Sequence, residues 1–334
     1  MTFAPCAVSR FVVRASMAVL VLLALVAPQH QVWAQTNYPG KPVRIVLPFA
    51  AGGVADITAR VIAERLGVKL NGRFYVENQP GAGGIAAART VISSQPDGYT
   101  LALLSNGTAI SVSLFNKLPY DPLKDFAPIS SLGYFDFILA TSADSPFKTL
   151  AEFMAAAKAK PGSLNVGTIN VGSTQNLSAE LFKTAAKLDF VIIPHRGTPE
   201  VLISTMQGNL GLMIDSYSAL KGNLADGKIR ALAATGPARS ASTPDIPTVQ
   251  ESGVASYDVV SWNALFAPSG TPPEIVKMLN QALQEILAEP DVKKRLLELG
   301  IEAKASTPEE ISARLKSDID KWRNVIEKAG IPKQ

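Results

Sequence analysis

The run Ile45-Val46-Leu47-Pro48-Phe49-Ala50-Ala51-Gly52-Gly53-Val54-Ala55-Asp56 constrains the fold more than any other stretch of the chain. An apolar strand enters a glycine-rich turn, and that turn opens at once into an amphipathic helix with Val54, Ile57, Val61, Ile62, Leu66 and Leu70 at helical spacing. The first N–H groups of a helix lack internal partners and carry the positive end of its dipole, so such a turn suits a carboxylate or phosphate. Glycine at Gly52 and Gly53 allows close approach to the main chain, and at Gly53 would permit a positive φ if the turn uses one. The loop has neither the Gly-Lys-Ser/Thr ending of a P-loop nor dinucleotide spacing, which points to a smaller anion than a nucleotide. A plain tight connector between strand and helix is the alternative.

The same design recurs. Phe74–Glu77 reads as a strand ending in Asn78-Gln79-Pro80-Gly81-Ala82-Gly83-Gly84, and Tyr99–Leu104 as one ending in Ser105-Asn106-Gly107-Thr108. After Asp125 come an apolar stretch from Ile129 to Ala140, a helix from Thr149 to Lys160 and a strand at Leu164–Gly167. That strand runs through Thr168, Ile169, Asn170, Val171 and Gly172 into a helix for which Ser173 or Thr174 is the N-cap and Gln175 an early residue. Phe190–Pro194 ends in His195-Arg196-Gly197-Thr198, and Leu210–Ile214 ends in Asp215-Ser216-Tyr217. The tail is helical over Pro272–Ala288, Asp291–Leu299 and Pro308–Ala329, with Thr307 as a cap. Alternating strands and helices predict an α/β architecture with mainly parallel sheets, and polar turns at the strand ends predict a ligand there.

Residues 1–34 read as a secretory signal peptide. Arg10 and Arg14 precede an apolar run from Ala15 to Ala27, and Val32-Trp33-Ala34 suits cleavage before Gln35. The run falls short of the roughly 18–20 residues that span a bilayer, so the product is expected free in the exported compartment. Cys6 precedes the apolar run and is misplaced for lipid anchoring. Cleavage would remove the single cysteine and one of the 2 histidines, leaving His195 and excluding disulfides and Cys/His zinc sites. A formal charge of +4, with basic residues scattered singly, argues against nucleic acid. A Ser-His-Asp hydrolase would have to use His195, and no Gly-x-Ser-x-Gly elbow supplies its nucleophile.

Taken together, Pro48–Asp56 (Pro-Phe-x-x-Gly-Gly-x-x-Asp), Asn78–Gly84, Pro96-Asp97-Gly98-Tyr99-Thr100-Leu101, Leu118–Phe126 and Gly227–Ala233 resemble the Bug proteins, the extracytoplasmic solute receptors of tripartite tricarboxylate transporters. The resemblance covers essentially the whole chain after residue 34. It implies a type II periplasmic-binding-protein fold: two α/β lobes around a ligand cleft, with the C-terminal helices packed on the first lobe. Lobe 1 would be 36–135 plus 259–334, and lobe 2 would be 136–258. It implies a periplasmic, monomeric, cofactor-free carrier of a small organic carboxylate that meets transporter membrane subunits transiently. A receptor signalling to a membrane kinase is the alternative.

Carried over by position, the first-lobe contacts would be Phe49, Ala50, Ala51, Gly52, Gly53, Asn106, Gly107 and Thr108. Those of the second lobe would be Asn170, Gly172, Ser173, Thr174, Gln175, His195, Arg196, Gly197 and Asp215. Thr168-Ile169-Asn170 and His195-Arg196 depart from the commoner Ser-Ser-Gly and Tyr-Lys, which leaves the ligand open among dicarboxylates, aromatic carboxylates, acidic amino acids and hydroxy acids. Two roles stay open for several residues. His195 either donates to ligand or packs as a ring, and Arg196 either clamps a second carboxylate or sits on the surface. Asp215 either receives a ligand group or orients loops. Asp56 is read as a helix-end carboxylate and Phe49 as a cleft wall.

Overall fold

The computed structural model describes Met1 and residues 38–334. Apart from Met1, the expected signal peptide, with Cys6, His30 and the cleavage point, lies outside the described residues. The chain runs β1 (Val43–Leu47), α1 (Val54–Lys69), β2 (Phe74–Asn78), a 3₁₀ turn (Ala82–Gly84), α2 (Ile85–Ile92), β3 (Thr100–Ser105), α3 (Asn106–Leu114) and β4 (Phe126–Ser142). It continues through α4 (Leu150–Ala159), β5 (Asn165–Ile169), α5 (Thr174–Ala185), β6 (Val191–His195), α6 (Thr198–Met206), β7 (Leu212–Ser216), α7 (Tyr217–Ala225) and β8 (Ile229–Ala234). The last part is β9 (Val260–Pro268), α8 (Pro273–Ala288), α9 (Pro290–Leu297), the short β10 (Glu302–Ala303) and α10 (Pro308–Ala329).

The strands form one curled sheet in the order β2-β1-β3-β9-β4-β7-β5-β6, with β8 and β10 also pairing β4. The expected parallel pairing holds at both ends, where β1 pairs β2 and β3 and β5 pairs β6 and β7. The middle corrects it: β9 is antiparallel to both β3 and β4, and β4 is antiparallel to β7 and β8. The physical reason lies in burial. Residues 261–268 of β9 are buried on both faces, Ser261 and Asn263 included, so a strand can be covered on both sides here while its neighbours run the other way.

β4 is 17 residues long and serves both halves of the sheet. Phe126–Asp136 pairs β9, and Phe137–Ser142 pairs β7 or β8. Its register slips between Pro128 and Ser130, between Ser131 and Gly133, and between Leu139 and Ala140. Such bulges bend a strand and strengthen its twist, which lets one strand turn the sheet from one half into the other.

Helices cover both faces. The face formed by Ile45, Leu47, Leu101, Leu103 and Leu265 packs against Ile62 and Leu66 of α1 and against Leu279, Leu283 and Ile286 of α8. Full burial of each such side chain contributes about 1.5–3 kcal/mol. α10 starts in a capping box, with Thr307 Oγ1 accepting from the Glu310 N–H at 3.1 Å and Glu310 accepting from the Thr307 N–H at 2.8 Å. It buries Ile311, Leu315, Trp322 and Ile326 and packs against α3, β4 and α5. Two indoles anchor it: Trp322 Nε1 donates to Asn106 Oδ1 at 2.7 Å, and Trp262 Nε1 donates to Asp318 Oδ2 at 2.6 Å. Beyond α10 the chain returns to α3, where the Gln334 N–H donates to the Leu114 carbonyl and the Asn116 N–H donates to the Gln334 carbonyl, both at 2.8 Å.

Candidate ligand-binding site

The carboxyl ends of β1, β3 and β5 deliver their turns to one cavity of about 510 Å³. Its wall includes the expected residues Phe49, Gly107, Thr108, Asn170, Gly172 and Ser173. Pro48, Gly81, Gly83, Gly84, Ser105, Ser111, Leu114, Phe115, Val171 and Gln334 complete it. None of the described lining side chains carries a charge. Its walls combine the apolar surfaces of Phe49, Leu114, Phe115 and Val171 with hydroxyls and backbone at two helix starts.

The β1–α1 turn is braced rather than simply flexible. Gly52 has φ +88°, the left-handed region that favours glycine, and its N–H donates to Asp56 Oδ2 at 2.9 Å. Gly53 sits at φ −82°, ψ 173°, extended backbone that any residue adopts, so the positive φ falls one residue earlier than its assignment to Gly53. Ala50, Ala51, Gly52 and Gly53 are exposed, and no side chain caps the start of α1 at Gly53. Asp56 is buried in the first helical turn, where its carboxylate takes Arg60 Nε at 3.0 Å and Asn78 Nδ2 at 2.9 Å as well as the Gly52 N–H. Burial works to raise its pKa, but the bonds from Arg60, the Gly52 N–H and Asn78 outweigh it and pull the carboxyl down to about 2.

Asn78 also donates to the Phe49 carbonyl at 3.0 Å, so the second glycine motif holds the first in place. Gly83 and Gly84 both have positive φ, at +63° and +64°, and a Cβ on Gly84 would lie 3.2 Å from Pro48. Sequence reading took this motif as a family mark and missed its brace. An Asn placed at a strand end, ahead of a glycine run, was the available signal.

At the next strand end Ser105 caps α3. Its Oγ accepts from the Gly107 N–H at 3.2 Å, and the Ser105 N–H donates to Thr108 Oγ1 at 3.3 Å. Asn106 faces inward behind the cavity wall, 1 % exposed, with Oδ1 on Trp322 and Nδ2 without a partner among the described residues. Across the cavity Ser173 is the N-cap of α5 and accepts from the Asn176 N–H at 3.1 Å. Gly172, at φ +78°, packs so closely on Leu114 that a Cβ would meet its Cδ2 at 2.3 Å. Thr174 is buried and Gln175 half-buried in the first turn of α5.

Ala50, Ala51, Gly52, Gly53, Gln175, His195, Arg196, Gly197 and Asp215 are not among the described wall residues. Asp215 is 2 % exposed at the end of β7. It accepts from Gln175 Nε2 at 3.1 Å, Thr198 Oγ1 at 2.5 Å and the Ser216 N–H at 2.7 Å, tying together the starts of α5, α6 and α7. Burial pushes its pKa up against those bonds. His195 Nδ1 donates to the Ile193 carbonyl at 2.9 Å, which fixes its tautomer and leaves Nε2 free of that bond. Arg196 is exposed, and its N–H donates to Glu200 Oε2 at 3.1 Å. Gly197 caps α6 without a side-chain bond.

A cavity at strand carboxyl ends, flanked by helix starts, on a sheet whose long β4 serves both halves, is the architecture of a solute-binding protein of the periplasmic two-lobed class. Residues 58–331 match the tripartite tricarboxylate transporter family receptor, TctC, and the chain belongs to that family. It is 33 % identical over 324 residues to the UPF0065 protein in the gbd 5′ region of Cupriavidus necator, covering 97 % of this chain and 98 % of that one. It is 30 % identical over 296 residues to BugT of Bordetella pertussis, covering 88 % and 91 %. Among solved structures it is similar to R. palustris Rpa4515 with adipate, at TM-score 0.80 and 32 % identity, covering 89 % of this chain and 100 % of that one. It is also similar to MatC of Rhodopseudomonas palustris with bound malate, at TM-score 0.74 and 34 % identity, covering 86 % and 100 %. Family and fold are those of substrate-binding receptors, not of enzymes. No described helix is long and apolar enough to cross a membrane.

Proposed function

We propose that this chain, exported to the periplasm by a signal peptide cleaved near Ala34 and Gln35, captures a small organic carboxylate and delivers it to the membrane subunits of a tripartite tricarboxylate transporter. One observation carries the reading: a cavity with no charged side chain in its described wall lies where the starts of α3 and α5 face each other, beside the uncapped start of α1. Helix starts stabilise an anion with backbone N–H groups and aligned dipoles, without a permanent cation. Adipate and malate in the two similar structures support a carboxylate here.

The protein works as a monomer, with residues 36–135 plus 259–334 as one lobe and 136–258 as the other. A ligand touching turns from both lobes binds the closed arrangement better than the open one, and that difference is what shifts the population. Release to the membrane subunits then needs only a partner that favours the open arrangement.

The test is a thermal-shift screen of organic acids, each paired with its uncharged amide. A ligand that binds only the folded state raises the melting temperature by mass action. Acids are expected to raise it and amides not to. Equal shifts for an acid and its amide would refute an anion site.

A further inference from the structure

Resting on that reading, we infer that the cavity takes a monocarboxylate with an apolar body of ring or short-chain size, in preference to a dicarboxylate. What decides it is where the four wall hydroxyls, Ser105, Thr108, Ser111 and Ser173, spend their protons.

On the α5 side the Ser173 hydroxyl and two backbone N–H groups are already used, and the side-chain donor left in the wall is the neutral Asn170 amide. Ser173 Oγ donates to the Ile169 carbonyl at 3.3 Å, the Ser173 N–H donates to the Asn170 carbonyl at 3.0 Å, and the Gly172 N–H donates to Asn176 Oδ1 at 3.1 Å. Ser111, farther along α3, donates to the Gly107 carbonyl at 2.8 Å. A hydroxyl whose proton is committed to a carbonyl offers only lone pairs to a carboxylate.

The two uncommitted hydroxyl protons of the wall lie together at the start of α3. Ser105 and Thr108 are 5 % and 6 % exposed and both line the cavity. Each hydroxyl oxygen accepts from a backbone N–H, and neither hydroxyl donates to a protein acceptor among the described residues. One carboxylate can therefore be met there by two hydroxyl protons and a helix dipole.

Beyond that pole Phe49, Leu114, Phe115 and Val171 present carbon. Burying a second carboxylate among them, with no cation in the described wall, strips its hydration without replacement. Arg196, the one basic residue expected to clamp a second acid group, is exposed, and the described wall does not include it. An aromatic or aliphatic body loses nothing polar and gains contact with the two phenylalanine rings.

Matched pairs isolate the second charge. Isothermal titration of the purified protein with hexanoate against adipate, and with benzoate against terephthalate, compares acids that differ by one carboxylate. The monoacid is expected to bind at least tenfold more tightly in at least one pair, with neither diacid the tighter partner of its pair. A diacid that is the tighter partner in either pair, or a monoacid advantage below tenfold in both, overturns the inference while leaving the carboxylate reading intact. Failure of all four acids overturns both. A gain of function supplies the second arm. Val171 is 46 % exposed, so Val171→Arg adds a cation to the apolar end without disturbing the core. It should shift the adipate-to-hexanoate affinity ratio at least tenfold toward adipate, and an unchanged ratio would count against the apolar end as the site of the second charge.

Discussion

Replacing Gly172 by alanine tests the closest approach between the β5–α5 turn and α3. The added Cβ meets two separate obstacles. Gly172 holds φ +78°, and an L side chain in the left-handed region costs about 1–2 kcal/mol. The same Cβ would lie 2.3 Å from Leu114 Cδ2, 3.3 Å from Cδ1 and 3.4 Å from Cγ. Turning one methyl away leaves the rest of the side chain tight against it, so overpacking adds about 1–3 kcal/mol. The total expected loss is about 2–5 kcal/mol.

The two costs separate in a double-mutant cycle. Leu114→Ala empties the space that the new methyl group needs but does nothing for φ. Urea unfolding of wild type, Gly172→Ala, Leu114→Ala and the double variant should give a coupling of about 1–3 kcal/mol, with the double variant more stable than the sum of the singles implies. The strain part, about 1–2 kcal/mol, should survive in the Leu114→Ala background. Strict additivity would refute the contact, and with it the facing of these two turns across the cavity.

Two carboxylates give pH signatures of opposite sign. The Asp56 carboxyl is pulled from 3.8 to about 2, so its stabilisation is present above pH 4 and disappears as pH falls through 2; urea unfolding should show the advantage of wild type over Asp56→Asn shrinking by about 2 kcal/mol over that interval, and a pH-independent difference would refute the assignment. Asp136 is pushed up to about 7 by burial, with Asp258 and Glu302 adding repulsion, so the folded chain holds that proton more tightly than the unfolded chain and stability falls as pH rises from 4 to 7. Asp136→Asn should remove that fall and gain about 2.5 kcal/mol on wild type between pH 5 and pH 8, and an equal difference at the two pH values would show the carboxyl to be unperturbed.

Local signals made the two ends of the fold legible. A strand flowing into a glycine or serine turn and then a helix announces itself within a dozen residues, and β1, β2, β3, β5, β6 and β7 were read to within about two residues on that basis. Ser173 and Thr307 were recognised as caps because a polar residue ahead of an apolar-periodic run has few other uses. β8 and β9 escaped because neither follows or precedes a turn of that kind, and their partner is β4, distant in sequence. The site divided along the same line. Turn residues such as Gly107 and Ser173 were visible as donors, whereas Leu114, Phe115 and Gln334 come to the cavity through the far end of α3 and the return of the tail, which no local pattern encodes. Asp215 stood open between a ligand contact and a loop-orienting role, and its three bonded donors, which no local pattern encodes, tie helix starts together.

The place of β9 in the sheet sets an order of assembly. It lies between β3 and β4 yet begins at Val260, so a chain emerging from the ribosome carries β3 and β4 long before the strand that joins them exists. Until Pro268 is available, two apolar edges face each other across a gap that only that strand fills. Closing so distant a pairing is slow, and an unfinished chain is held back from its final form. For the export proposed above, a chain threaded unfolded through a translocation pore would gain time from this arrangement, because its own topology delays completion until Pro268 has been made.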